Sequence, residues 1–97
     1  MATLPFDTDR LINICRANDV TTLGLFGSMA RGDATAHSDI DLLVQFGKRK
    51  SLLGVVKLER ELSEALGRKV DVLTDGAISP YLRAGILHDL AIIYAAP

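Results

Sequence analysis

The sequence predicts an α/β fold (α+β), one small mixed β-sheet carrying acids on one face or edge with helices packed against it. Three observations lead there. Short apolar runs, Val20 to Phe26, Asp39 to Phe46 with its two acids, and Val70 to Leu73, have the length and residue types of strands. Between and around them, apolar residues recur at helical spacing. The second and third runs are joined by a helical stretch, the order of a crossover unit. The 97 residues suffice for one core, and 1–97 reads as a single domain without repeat or linker.

Each element has a local reason. From Asp7 to Ala17, Leu11, Ile14 and Cys15 share a helical face, with Asp7 or Thr8 available as N-cap. Asn18-Asp19 breaks that pattern before the first strand. Gly47 ends the second strand, and Lys48-Arg49-Lys50 is either a solvated loop or a contact for an acidic partner or nucleotide. Ser51 can cap a helix over Leu52 to Leu66, whose stripe is Val55, Leu58, Leu62 and Ala65 or Leu66, and Gly67 can stop it. Asp75-Gly76 signals a turn, and Ser79-Pro80 an N-cap with proline at the first helical position. Leu82, Ile86 and Leu90 then recur at i, i+4 and i+8, a stripe that serves core or interface, with completion of the core the expected role. Ala91 to Tyr94 fits a closing strand or an extension of the helix.

The stretch from Gly27 to Val44 carries the chemistry. A strand that stops at Gly27-Ser28 and hands over to a helical turn at Met29-Ala30-Arg31 leaves backbone N–H groups free to meet phosphate. After the polar loop Gly32 to Ser38 comes Asp39-Ile40-Asp41, and on a strand residues two apart share a face. Two carboxylates about 5 Å apart repel by roughly 3 kcal/mol at an effective dielectric near 20. A hard divalent cation reverses that sign, and magnesium is usually held by one or two carboxylates, waters and substrate phosphate oxygens. Taken singly, Gly27 can merely end a strand and Ser28 merely cap a helix. Arg31 can neutralise phosphate or pair with Asp33, itself read as a loop-former. Asp71, within Val70-Asp71-Val72, also fits a half-exposed strand.

The pattern Phe26-Gly27-Ser28, Ala30-Arg31-Gly32-Asp33 and Ser38-Asp39-Ile40-Asp41-Leu42-Leu43-Val44 resembles the signature of the minimal nucleotidyltransferases of the DNA polymerase β-like superfamily. The resemblance implies the polymerase β-like nucleotidyltransferase fold, with the nucleotide triphosphate bound at Gly27 and Ser28; Arg31 stands beside them as a candidate for the same ligand. It implies that Asp39 and Asp41 hold two magnesium ions (Mg2+) and that a third metal-binding and catalytic carboxylate comes from a later strand, where Asp71 is the obvious residue. Resemblance to the smallest members of the family points to the antitoxins encoded beside HEPN-domain ribonuclease toxins, which transfer AMP from ATP to a tyrosine of the toxin. The expected activity is therefore magnesium-dependent nucleotidyl transfer to a hydroxyl of a HEPN-type partner. Transfer to a small molecule such as an aminoglycoside, and a non-catalytic nucleotide-binding module that neutralises its partner by contact, are the alternatives.

Composition excludes several other classes. A net charge of −1, a pI near 6.0 and 5% aromatic residues argue against a basic or base-stacking nucleic-acid surface. No glycine stands at the required distance before a Gly-Lys-Ser/Thr, so a P-loop is excluded, and His37 and His88 have no partners at metal-ligand spacing, although His37 could reach a nucleotide from the loop. The single Cys15 cannot form an internal disulfide and reads as core. The residues Met1 to Asp7 show no export signal and no run approaches a membrane span, so the cytoplasm is the expected compartment.

Overall fold

The computed structural model describes residues 4–96, so the reading of the N-terminus falls partly on residues 1–3, outside the described ones. The elements run α1 (Thr8–Ala17), β1 (Val20–Phe26), α2 (Ser28–Arg31), β2 (Ile40–Phe46), α3 (Leu52–Leu66), β3 (Val70–Thr74), a 3-10 turn (Asp75–Ala77), α4 (Pro80–Asp89) and β4 (Ala91–Ala95). The strands form one mixed sheet in the order β3-β2-β1-β4, with β2 and β3 parallel and β1 antiparallel to both of its neighbours. Ala91 begins a strand because Leu90 adopts extended backbone and ends α4.

Period-two alternation divides the sheet into a dry face and a site face. Leu23, Leu25, Ile40, Leu42, Val44, Val70 and Val72 are buried in one cluster with Leu11 and Cys15 of α1 and Leu58 and Leu62 of α3. Burial pushes the Cys15 thiol up to about 12, which makes it an inert core residue. The helix ends follow from their caps. Asp7 Oδ1 accepts from Arg10 N–H, Ser51 Oγ accepts from Gly54 N–H, and Gly67 closes α3 in the left-handed conformation. The Asn18 amide donates to Ile14 O (2.9 Å) and to Glu61 Oε2 (3.1 Å), tying the end of α1 to α3.

The outer edge of β3 would present unpaired N–H groups, a pairing hazard in any edge strand. Two α3 side chains one helical turn apart take them up: Ser63 Oγ accepts from Val70 N–H (3.1 Å) and Glu59 Oε2 from Val72 N–H (2.8 Å). Those bonds flank Asp71.

Two sequence expectations meet corrections. The stripe Leu82, Ile86 and Leu90 does not complete the core: α4 contains no buried residue, and Leu82 is 62% exposed. Leu82 and Ile86 instead wall a cavity, and Leu90, just past α4, packs on the sheet where the missing side chain of Gly24 admits it. Asp39 lies just ahead of β2 rather than within it, because the strand starts at Ile40, whose N–H donates to Lys69 O (2.9 Å). In the basic run Lys48 and Arg49 are exposed, as expected of a solvated loop, while Lys50 Nζ lies 2.7 Å from Asp19 Oδ2. Among the described residues, no helix is long and apolar enough to cross a membrane.

Candidate active site

The parallel register of β2 and β3 sets Asp41 opposite Asp71. With Ile40, Leu42, Val70 and Val72 turned into the core, alternation sends both carboxylates to the other face of the sheet. Burial raises the pKa of Asp41, and the negative charges of Asp71 and then Asp39 raise it further. All three predicted acids therefore act on one locality.

The turn at the end of β1 meets this locality directly. Gly27 has φ 73° and ψ −153°, a backbone that side chains rarely permit. A β-carbon at Gly27 would also overlap Oδ2 of Asp41. The glycine thus brings the first turn of α2 against the acid of the neighbouring strand, Phe26 being the ladder partner of Asp41. The Gly27 carbonyl accepts from Ala30 and Arg31 N–H (both 3.1 Å), which leaves the N–H groups of Ser28 and Met29 at the turn without intrahelical partners.

The loop before Asp39 is pinned by a residue that the sequence reading passed over. Arg68 Nη1 donates to the carbonyls of Thr35 (3.1 Å) and Ser38 (3.0 Å), while Ser38 Oγ accepts from Thr35 N–H (2.7 Å). The neighbouring Lys69 places Nζ 3.9 Å from both Asp39 Oδ2 and Asp71 Oδ1. Arg31 forms the foreseen pair with Asp33 (3.2 Å) and a second, shorter one with Asp89 at the end of α4 (2.9 Å). That guanidinium, followed by His88, lowers the pKa of Asp89. His37 lies in the loop, its backbone N–H donating to Thr35 Oγ1 (3.3 Å).

Beside Gly27 a cavity of about 400 Å³ opens between the sheet and α4, lined by Phe26, Gly27, Arg31, Leu73, Leu82, Gly85, Ile86 and Asp89. Its walls are mainly apolar, with one cation and one acid at its polar positions. Such a lining suits a flat, largely apolar ligand with a charged end.

Among the described residues, no three His, Cys, Asp or Glu side chains converge closely enough to enclose a metal ion unaided. The donor set still fits magnesium. It offers only hard carboxylate oxygens, burial and then the neighbouring acids raise the pKa of one of them, and magnesium needs one or two carboxylates when phosphate supplies further ligands.

The sequence profile of the family described as "Polymerase beta, Nucleotidyltransferase" matches residues 9–96. The chain belongs to the polymerase β nucleotidyltransferase family. A protein of Methanocaldococcus jannaschii named as a candidate protein adenylyltransferase is 46% identical over 80 residues, spanning 82% of this chain and 86% of that protein. The protein adenylyltransferase MntA of Thermococcus cleftensis is 34% identical over 74 residues, spanning 76% of this chain and 75% of MntA. A chain of a toxin–antitoxin crystal structure with AMP-PNP has the same fold, with TM-score 0.82 at 23% identity over 93% of this chain and 74% of that one. So does a chain from the complex of the tri-AMPylated Shewanella oneidensis HEPN toxin with MNT antitoxin, with TM-score 0.72 at 21% identity over 92% of this chain and 70% of that one. The nucleotidyltransferase resemblance read from the Gly27 to Val44 motif is therefore correct, as is the small mixed sheet with packed helices.

Proposed function

We propose that this nucleotidyltransferase is a protein adenylyltransferase that moves AMP from ATP to a hydroxyl of a HEPN-type toxin, acting as the antitoxin of the pair. The carrying observation is the parallel β2–β3 register that faces Asp41 with Asp71 beside the Gly27 turn. The names of the relatives, protein adenylyltransferases, and of the structural neighbours, toxin–antitoxin complexes, support the acceptor class.

In this reading Ser28 and the exposed N–H groups of the α2 turn receive the triphosphate, with Gly27 permitting close approach. Asp39, Asp41 and Asp71 are the carboxylates that would hold magnesium, which when bound supplies charge neutralisation for the phosphates and acidifies the acceptor hydroxyl. The hydroxyl oxygen attacks the α-phosphorus, the bond from that phosphorus to the bridging oxygen breaks, and pyrophosphate leaves. Asp71, the ladder partner of Asp41, takes the hydroxyl proton. Arg31, fixed between Asp33 and Asp89, supplies a guanidinium at the cavity where phosphate meets nucleoside. The apolar wall of Phe26, Leu73, Leu82 and Ile86 takes the base.

Incubation of the purified chain with α-labelled ATP, magnesium and a HEPN-domain partner tests the reading. Label on the partner with release of pyrophosphate is expected; no transfer to the partner, with label passing to a small-molecule acceptor instead, would overturn it.

A further inference from the structure

On the metal–nucleotide reading above, Lys69 acquires a role beside the acids. Its backbone is fixed, because the Lys69 carbonyl accepts from Ile40 N–H at the start of β2. Its side chain is not enclosed: it is 69% exposed, and Nζ stands 3.9 Å from a carboxylate oxygen of Asp39 and 3.9 Å from one of Asp71. Both separations exceed hydrogen-bond length, so the ammonium is held by charge alone and its release breaks no close bond. The other cation of the site, Arg31, is engaged by Asp33 and Asp89. Lys69 is thus the cation set between Asp39 and Asp71, and its single charge offsets only one of the three carboxylates.

We infer that Lys69 is a built-in stand-in cation. It occupies the space between Asp39 and Asp71 in the metal-free protein, competes there with a divalent ion, and swings toward solvent when the ion enters. Two consequences follow from charge. The acids tolerate each other without metal because Lys69 lies between two of them. A divalent ion on its own meets a partly neutralised site, whereas one arriving with a triphosphate brings its own anionic ligands and offers the displaced ammonium a phosphate charge to face. Lys69 therefore couples metal binding to nucleotide binding.

The test measures Mn2+ binding to the full chain by electron paramagnetic resonance, with and without AMP-PNP, alongside thermal melting. Exposed ion pairs are individually weak, so in Lys69→Met the Mn2+ dissociation constant should fall about threefold to tenfold without nucleotide. The enhancement by AMP-PNP should shrink. Lys69→Met should also melt lower than wild type without metal and gain more from Mn2+, whereas Lys69→Arg should stay near wild type. Unchanged or weaker Mn2+ binding in Lys69→Met, with the variant folded, would overturn the inference. Asp41→Asn separates the two levels of the account. If it loses Mn2+ while Lys69→Met gains nothing, only the role of Lys69 falls; if Asp41→Asn binds Mn2+ like wild type, the carboxylate site and the inference fall together.

Discussion

Oδ2 of Asp41 fills the space where a β-carbon of Gly27 would stand, so the turn ending β1 and the acid on β2 are built as one unit. Gly27→Ala should be harmful twice over, through overlap with that carboxylate and through a positive φ that disfavours a side chain. A backbone strain of about 1–3 kcal/mol is expected in denaturant unfolding. Calorimetry with ATP and magnesium should show binding weakened at least tenfold in the protein that remains folded. Equal affinity in Gly27→Ala and wild type would remove Gly27 from the phosphate site.

Asp41 also makes stability depend on pH. Burial, and then the charges of Asp71 and Asp39, hold its pKa above the ordinary carboxylate value, so the protonated form is the stabilising one. That contribution is complete below the unfolded-state pKa and is lost as pH rises through the elevated folded-state pKa. Metal-free Asp41→Asn should therefore melt above wild type at neutral pH, with the gap closing as pH falls toward about 4. The same substitution should abolish transfer. A melting difference that does not vary with pH would refute this account of Asp41.

Asp71 is expected to act on the acceptor more than on the nucleotide. Asp71→Asn should lower kcat about a hundredfold or more, the scale of general-base catalysis, with ATP–magnesium binding largely retained. Loss of binding together with rate would assign Asp71 to holding the nucleotide.

For Arg68 the prediction concerns position. Its guanidinium secures the Thr35 and Ser38 carbonyls, immediately before Asp39. Arg68→Ala should reduce kcat/KM about tenfold to a hundredfold by releasing that loop, since misplacing a reacting group by about 1 Å has effects of this size. Hydrogen exchange should rise at residues 33–39 and stay unchanged in β2. Activity matching wild type would show that the loop holds Asp39 without Arg68.

The elements that local pattern determines were legible in the sequence. Ser51 and Gly67 bound α3 where their capping chemistry requires, and Leu58 and Leu62 mark its buried face. The acids of the candidate site stood out too, because Asp41 and Asp71 each interrupt an apolar strand. Their pairing was not, since register between β2 and β3 is a long-range property that residue spacing does not encode. The same limit hides Glu59 on Val72, Arg68 on the loop carbonyls and Asp89 on Arg31, each made by chain segments brought together only by the fold. In α4, Leu82 and Ile86 have helical spacing, but spacing states that residues share a side, not that this side faces a cavity instead of a core.

The central claim is adenylylation of a protein partner by the carboxylates at the β2–β3 ladder. Its most direct test is intact-mass spectrometry of a HEPN-domain toxin co-expressed with the wild-type chain and with Asp39→Asn or Asp41→Asn. The account predicts toxin carrying one or more added AMP groups beside the wild type, and unmodified toxin beside either variant. Unmodified toxin that the wild type and both variants neutralise equally would contradict it.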